Sequence, residues 1–503
     1  MSCFEGHVEE LKNVSIDYFE NNNIYSKTFF LSHCHSDHMA GLRSYTFLNR
    51  LKEEPQVFLY CSEITAHILK SEKTFTDLSH KIRDLLIGPG NLVTIPGNNG
   101  EEDQDVTVTL IPTGHCPGAV MFLFEGDVSV GHVLYTGDFR IVLGDAAKFK
   151  QLHYSDGTVK EIDKLYLDTT FLSQQYRDFP ARKDSIAIIS NFVALWLAKG
   201  EDHHVIIQIP AKYGSEAIFM MLAKQFGMKV HVSDEVYNIY KNMSEIRDAV
   251  TNDTMITRIH ACPSLRRLYQ KNGELTLLPC RVDWFKLVTI RPCALSFTSD
   301  MYKGNLESAV LRSEEDNLIR VCYSCHSSHE ELKYFISYLK PKQIKACVVP
   351  LRMSEIQTLN MLRKMCLPIY GKDNMPVLTV SKRKETPSIN VSPKANNVKT
   401  LEECLSDEME FTEMPSSSQT NVSDRRSLKE YKDNMESEEE EENVVEIKSM
   451  STTDVLQTDA DIYRLIAEDL QPKSGDQDAD IRQSMSLAFL QAAVDKKKPV
   501  IYN

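Results

Sequence analysis

The segment Ser32-His33-Cys34-His35-Ser36-Asp37-His38 places three imidazoles and a carboxylate within six positions. Imidazole nitrogen combined with carboxylate oxygen is the donor set that suits Zn²⁺. In a tight loop, alternate residues can point to different sides. His33 and His35 can then serve one cation, and Asp37 and His38 a second. A His-rich surface turn would have no reason to be followed by further donors. Here two follow: His115 in Thr113-Gly114-His115-Cys116-Pro117-Gly118, and Asp138 in Tyr135-Thr136-Gly137-Asp138-Phe139-Arg140. Glycine beside each lets the backbone turn sharply. Two divalent cations about 3.5–4 Å apart can activate water and stabilise a leaving oxygen, which is the chemistry of phosphodiester hydrolysis.

The elements that must hold these residues are short apolar strands. Thr28–His33 leads into the first cluster, Val106–Ile111 and Val120–Glu125 flank His115, Val133–Thr136 leads to Asp138, and Leu165–Asp168 follows. Further strands are expected at His204–Ile209, Lys229–Val232, Ile319–Ser324 and Lys345–Pro350, with helical periodicity over Ile186–Ala198, Ser215–Phe226 and Glu330–Leu339. Such alternation implies an α/β fold.

A second donor set, His231, His260, Cys262 and Cys280, could close a structural tetrahedral zinc, although its spacing is irregular and two buried thiols with two ordinary histidines is the alternative. Arg258, Arg266, Arg267, Lys271, Arg281 and Lys286 surround it and could touch phosphates or form a solvated face.

The 503-residue chain has a net charge of −14, which taken as a whole argues against a nucleic-acid binder. Residues 401–503, however, carry 25 acidic and 11 basic side chains, so the imbalance lies there and the body is neutral. From about residue 385 the composition turns to Pro, Ser, Asn and Glu, with the run Glu438–Glu442, and reads as a disordered acidic tail. Twelve cysteines and an N-terminus without an apolar leader point to a reducing compartment, and no apolar run is long enough for a membrane span. Lys382-Arg383-Lys384 and Lys496–Lys498 are weak nuclear signals.

The ordered set HxHxDH, GHCPG and TGDFR resembles the metallo-β-lactamase fold in the form used by nucleic-acid phosphodiesterases. The resemblance implies a first site of His33, His35, His115 and Asp138. It implies a second site of Asp37 and His38, with Asp138 bridging and a late histidine completing it. Leu167-Asp168-Thr169-Thr170 resembles the first β-CASP motif, with Asp168 orienting a ligating histidine. Ile259-His260-Ala261-Cys262 falls where the second lies, and Ser324-Cys325-His326-Ser327-Ser328 resembles the third, with His326 as the late ligand. Asp37, His38, Asp138, Asp168 and His326 are thereby the expected catalytic set, and Ser327 and Ser328 are either phosphate contacts or caps.

TGDFR, LDTTF and CHSSxxE together point to the DNA-processing branch of this family. The implied architecture is a four-layer αββα metallo-β-lactamase fold formed by residues 1–157 and 319–384, an inserted α/β β-CASP domain at 158–318, and the tail at 385–503. The implied activity is a metal-dependent DNA nuclease that opens hairpins, trims overhangs and degrades 5′ ends in non-homologous end joining. It would use one or two Zn²⁺, a further structural zinc, and Mg²⁺ or Mn²⁺ as alternative activators. DNA-dependent protein kinase is the implied partner, with Ser418-Gln419 as one acceptor site, and the nucleus the implied location. Contact with DNA ligase IV is doubtful, because that branch uses a tryptophan-centred tail motif and Trp196 and Trp284 both lie in the body. The competing readings are a 5′ exonuclease of crosslink repair, which would lack the second donor set, an RNA-cleaving relative, and a non-catalytic scaffold.

Overall fold

A computed structural model describes residues 2–382, apart from 99, 210, 245, 263–266, 272–273, 279, 281 and 314–316; for 267–271, 274–278, 283 and 284 only the backbone is described. The tail expected at 385–503, with its phosphorylation and nuclear signals, lies outside the described residues, as do Arg266 and Arg281.

Two sheets face each other. One has four parallel strands, in the order Val14–Ile16, Thr28–Leu31, Phe58–Ser62 and Ile82–Leu85. The other has seven, in the order Val377–Val380, Gln343–Ala346, Lys164–Leu167, His132–Tyr135, Val120–Glu125, Gln104–Pro112 and Gly90–Ile95. Strands alternate their side chains between faces, and here both faces are covered. Phe30 packs inward on Phe122 and Phe124 of the opposite sheet, with ring centroids 5.2 Å apart in each case. Its neighbours Phe29 and Leu31 point outward, into a core shared with Phe47 and Leu51 of the helix Tyr45–Glu53. Full burial of one such phenyl ring contributes on the order of 1.5–3 kcal/mol. On the far side, Leu123, Leu134 and Leu165 meet Phe335 and Ile336 of the helix His329–Leu339 and Leu362 and Met365 of the helix Glu355–Tyr370. Helix, sheet, sheet and helix therefore stack as the αββα sandwich that the resemblance implies.

Between the strands Lys164–Leu167 and Gln343–Ala346, which pair directly, the chain builds a second α/β unit. Its sheet runs Val250–Thr251, Val230–His231, Ile259–His260, His204–Ile207, Leu287–Cys293, Leu318–Cys322 and Val310–Ser313. The helices Arg182–Leu197 and Glu216–Phe226 pack against it.

This topology moves both expected boundaries. Residues from 158 to Leu167 stay with the first unit, because Lys164–Leu167 pairs in parallel with His132–Tyr135. Residues 319–322, assigned to the completing part, belong to the insertion, because Leu318–Cys322 pairs with Leu287–Cys293. A central parallel strand is apolar in either sheet, so hydropathy alone cannot say which sheet receives it.

Candidate metal centre and its hydrogen-bonded frame

The loops that carry His33 to His38, His115, Asp138 and Asp168 leave the ends of sandwich strands, and the loop that carries His326 leaves the inserted strand Leu318–Cys322. The strand Thr28–Leu31 stops short of the expected His33, because the Ser32 N–H turns aside to donate to Asp17 Oδ1 at 2.7 Å. Gly137 adopts φ +52, and a Cβ there would lie 2.9 Å from Ser32 Oγ, so the Asp138 loop needs glycine to approach the His33 loop. The His115 loop is tied down by Ser62 Oγ, which donates to the Gly118 carbonyl at 2.6 Å. The His326 loop ends in a capping box, where Ser328 caps the helix His329–Leu339 and Glu331 bonds back to it.

These loops gather His33, His35, His115 and Asp138 into one group, Asp37, His38 and Asp138 into a second, and Asp138, Asp168 and His326 into a third, with one ligand atom from each residue within 4.8 Å of the others. Asp138 is common to all three. Its carboxylate lies 3.2 Å from His38 Nε2, 3.6 Å from His115 Nε2, 3.7 Å from His33 Nε2 and 3.9 Å from His326 Nε2.

The outer nitrogen of every imidazole is engaged elsewhere. His38 Nδ1 donates to Asp17 Oδ2 at 2.7 Å, and His326 Nδ1 to Asp168 Oδ2 at 2.8 Å. His115 Nδ1 donates to the Cys325 carbonyl at 3.1 Å, and His35 Nε2 to the Tyr213 carbonyl at 3.0 Å. Ser32 Oγ gives its proton to Asp17 Oδ2, so it accepts from His33 Nδ1 at 2.9 Å. Each bond fixes a tautomer and turns the other nitrogen's lone pair inward. Four histidines present Nε2 and His35 presents Nδ1. The inward Nε2 atoms of His33 and His38 are buried and have no hydrogen-bond partner in the protein. Buried nitrogens oriented this way fit a divalent cation.

Electrostatics follow from this arrangement. Burial holds His33 and His115 well below the usual imidazole range, with neighbouring imidazoles adding to the effect, so both stay neutral and able to ligate. Burial also opposes charge on His38, but Asp138, Asp37 and Asp17 outweigh it and raise its pKa. Burial works against ionisation of Asp37, yet His38 and the Ser2 N–H, 2.7 Å away, keep its carboxyl well below the usual range.

Sequence reasoning missed Asp17. It is 2% exposed and accepts from Ser32 N, Ser32 Oγ, His38 Nδ1 and Tyr135 OH. No spacing announces it, because it precedes the His cluster by a whole strand. Asp168 lies directly behind His326, anchored by Thr170 N at 2.9 Å and Thr170 Oγ1 at 2.6 Å. Ser327 and Ser328 are 2% and 1% exposed. Ser327 Oγ bonds Ile141 N and the Phe139 carbonyl, while Ser328 Oγ caps its helix. Both hydroxyls serve the backbone, as the cap alternative expects, and neither is exposed to meet a phosphate.

Of the second donor set, His231, Cys262 and Cys280 converge. Cys280 Sγ lies 3.5 Å from Cys262 Sγ and 3.5 Å from His231 Nδ1. His260 stands beside them, its Nδ1 3.4 Å from His231 Nδ1 and its Nε2 2.9 Å from His204 Nδ1. A hydrogen bond from Cys262 is the largest influence holding the Cys280 thiol well below the usual thiol range, which favours the thiolate form that binds cations.

Residues 244–351 match the family model described as DNA repair metallo-beta-lactamase. The chain is 36% identical to protein artemis of Rattus norvegicus over 373 residues, 73% of this chain and 51% of that protein. It is 35% identical to protein artemis of Homo sapiens over 73% of this chain and 52% of that one. This chain is similar to the DNA repair metallo-β-lactamase proteins. It is also 32% identical to the DNA cross-link repair 1A protein of Homo sapiens, over 63% of this chain and 27% of that one. The chain spans about half the length of the artemis proteins it matches. Among the described residues, no helix is long and apolar enough to cross a membrane.

Proposed function

We propose that this chain is a member of the DNA repair metallo-β-lactamase family and hydrolyses DNA phosphodiesters as an artemis-type nuclease, opening hairpins, trimming overhangs and digesting from 5′ ends in double-strand break repair. The observation that carries the reading is the convergence of four imidazole Nε2 atoms on the Asp138 carboxylate, with each outer ring nitrogen already engaged. His33, His35, His115 and Asp138 would hold one cation. Asp37, His38, His326 and the shared Asp138 would hold the other. When bound, Zn²⁺, or Mg²⁺ or Mn²⁺ in its place, supplies Lewis acidity and a lowered water pKa.

The chain itself orients these ligands. Asp17 and Asp168 lock the tautomers of His38 and His326, and the low pKa of Asp37 keeps it charged. His231, Cys262 and Cys280, with His260 beside them, would hold a structural zinc that braces the inserted domain. That cluster favours the artemis-type reading over the crosslink-repair exonuclease, which needs no such set. A nuclear location and DNA-dependent protein kinase as partner follow from the same reading.

The test is product mapping on end-labelled hairpin DNA, 5′-phosphorylated single-stranded DNA and matched RNA. Internal cuts at the hairpin tip support the proposal. Digestion from free 5′ ends alone selects the crosslink-repair reading, and cleavage of RNA alone overturns both.

A further inference from the structure

Four of the five ligand imidazoles are braced by the sandwich or by the loop that returns to it: His33 by Ser32, His38 by Asp17, His115 by the Cys325 carbonyl and His326 by Asp168. His35 differs. Its acceptor, the Tyr213 carbonyl, belongs to the inserted domain and lies between the strand His204–Ile207 and the helix Glu216–Phe226.

What fixes that carbonyl is the turn Tyr213–Ser215. Gly214 adopts φ +110, in the left-handed region, and its N–H donates to both carboxylate oxygens of Glu216, at 3.1 Å and 2.9 Å. Tyr240 OH, fully buried on the helix Asp234–Tyr240, donates to the same carboxylate. Cys325 Sγ approaches the Gly214 carbonyl at 3.6 Å, and a Cβ on Gly214 would meet the His115 carbonyl at 3.6 Å. The turn is thus seated against the His35, His115 and His326 loops together. Glu216 also opens a helix, where a carboxylate favours the dipole. That role is served on the surface, however, whereas Glu216 is 7% exposed, and a buried carboxylate is unfavourable unless it is hydrogen-bonded.

We infer that Glu216 is a positioning residue for the metal centre, holding the Tyr213 carbonyl against His35 so that the inserted domain sets the orientation of one ligand. This rests on the reading of the cluster as a metal centre. Movement of the inserted domain on a substrate would reach the first cation position through this hydrogen bond.

The experiment uses the full chain loaded with Co²⁺, whose visible absorption reports ligand geometry. Thiolate charge-transfer bands from the Cys262/Cys280 cluster give an internal reference. Glu216→Ala is expected to shift the visible bands and weaken Co²⁺ affinity by about 10–100-fold. Glu216→Gln, which keeps an acceptor oxygen for Gly214 N–H and Tyr240 OH, is expected to restore both. Gly214→Ala, which strains the turn while leaving Glu216 in place, is expected to reproduce the shift even where Glu216→Ala does not fold. Wild-type bands and affinity in folded Glu216→Ala and Gly214→Ala overturn the inference alone. A wild-type chain that takes up no Co²⁺ outside the thiolate cluster overturns the metal reading, and the inference with it.

Discussion

His326 Nδ1 donates to Asp168 Oδ2 at 2.8 Å, joining residues 158 positions apart. The whole inserted domain lies between them, so this bond closes the candidate metal centre across the insertion. Asp168 sits where the chain leaves the sandwich and His326 where it returns.

Replacing Asp168 with Ala removes the acceptor that fixes the His326 tautomer. Activity is expected to fall about 10–100-fold, with a matching rise in the metal concentration needed for half-maximal rate. The check is a metal titration of the cleavage rate alongside circular dichroism. An unchanged titration midpoint would sink the orienting role.

Asp17→Ala strands the Ser32 N–H, the His38 Nδ1–H and Tyr135 OH inside the protein. Breaking a buried charge network of this kind costs about 3–5 kcal/mol. Asp17 has φ +55, a conformation that Asn tolerates, so Asp17→Asn should lose markedly less. Urea unfolding of both variants compares them directly.

Arg140 ties three regions together. Its Nη2 lies 3.2 Å from Glu331 Oε1 and 2.9 Å from the Pro180 carbonyl, and its Nη1 is 3.1 Å from the Ser324 carbonyl. Both partners of the ion pair are buried. Arg140→Met leaves Glu331 charged and unpaired, a loss of about 3–5 kcal/mol, and adding Glu331→Leu should recover much of the stability. Cleavage activity is not expected to return fully with it, because the Ser324 carbonyl, two residues before His326, then keeps only the longer bond from Arg182 Nε at 3.3 Å. Full recovery of activity in the double variant would contradict that role.

Burial raises the Glu216 carboxyl above its ordinary value of 4.5, although Tyr240 OH and Gly214 N–H favour the charged form. The folded state therefore holds this proton more tightly than the unfolded chain. The stability it contributes is complete below the unfolded pKa and is lost as pH rises through the folded one. Glu216→Gln does not titrate, so its melting temperature should gain on the wild type as pH is raised from about 4 to about 7. A constant difference across that range would argue against the shift.

The clustered residues were legible because the metal chemistry they suggest draws rare residue types into short, ordered patterns. HxHxDH, His115, Asp138 and His326 could all be named without coordinates. Strands with strong apolar runs, such as Val120–Glu125, were legible for the same kind of reason. The helix Tyr45–Glu53 was not, because only Phe47 and Leu51 are buried on it, which is too thin a stripe to read. The hydrogen-bonded frame escaped as well. Asp17, Arg140 and Glu216 are single polar residues whose roles depend on long-range packing, and Tyr213 contributes only a backbone carbonyl, which no side-chain pattern can signal. The domain boundaries were misplaced because both sheets recruit parallel apolar strands of one type.

The most direct test of the central claim is hairpin opening by the purified chain beside its Asp37→Ala/His38→Ala variant, with bound metal counted in the same samples. The account predicts cuts at the hairpin tip by the wild type, and loss of both the cuts and a bound cation in a variant that remains folded. Equal hairpin cleavage by the two proteins would place the chemistry elsewhere and contradict it.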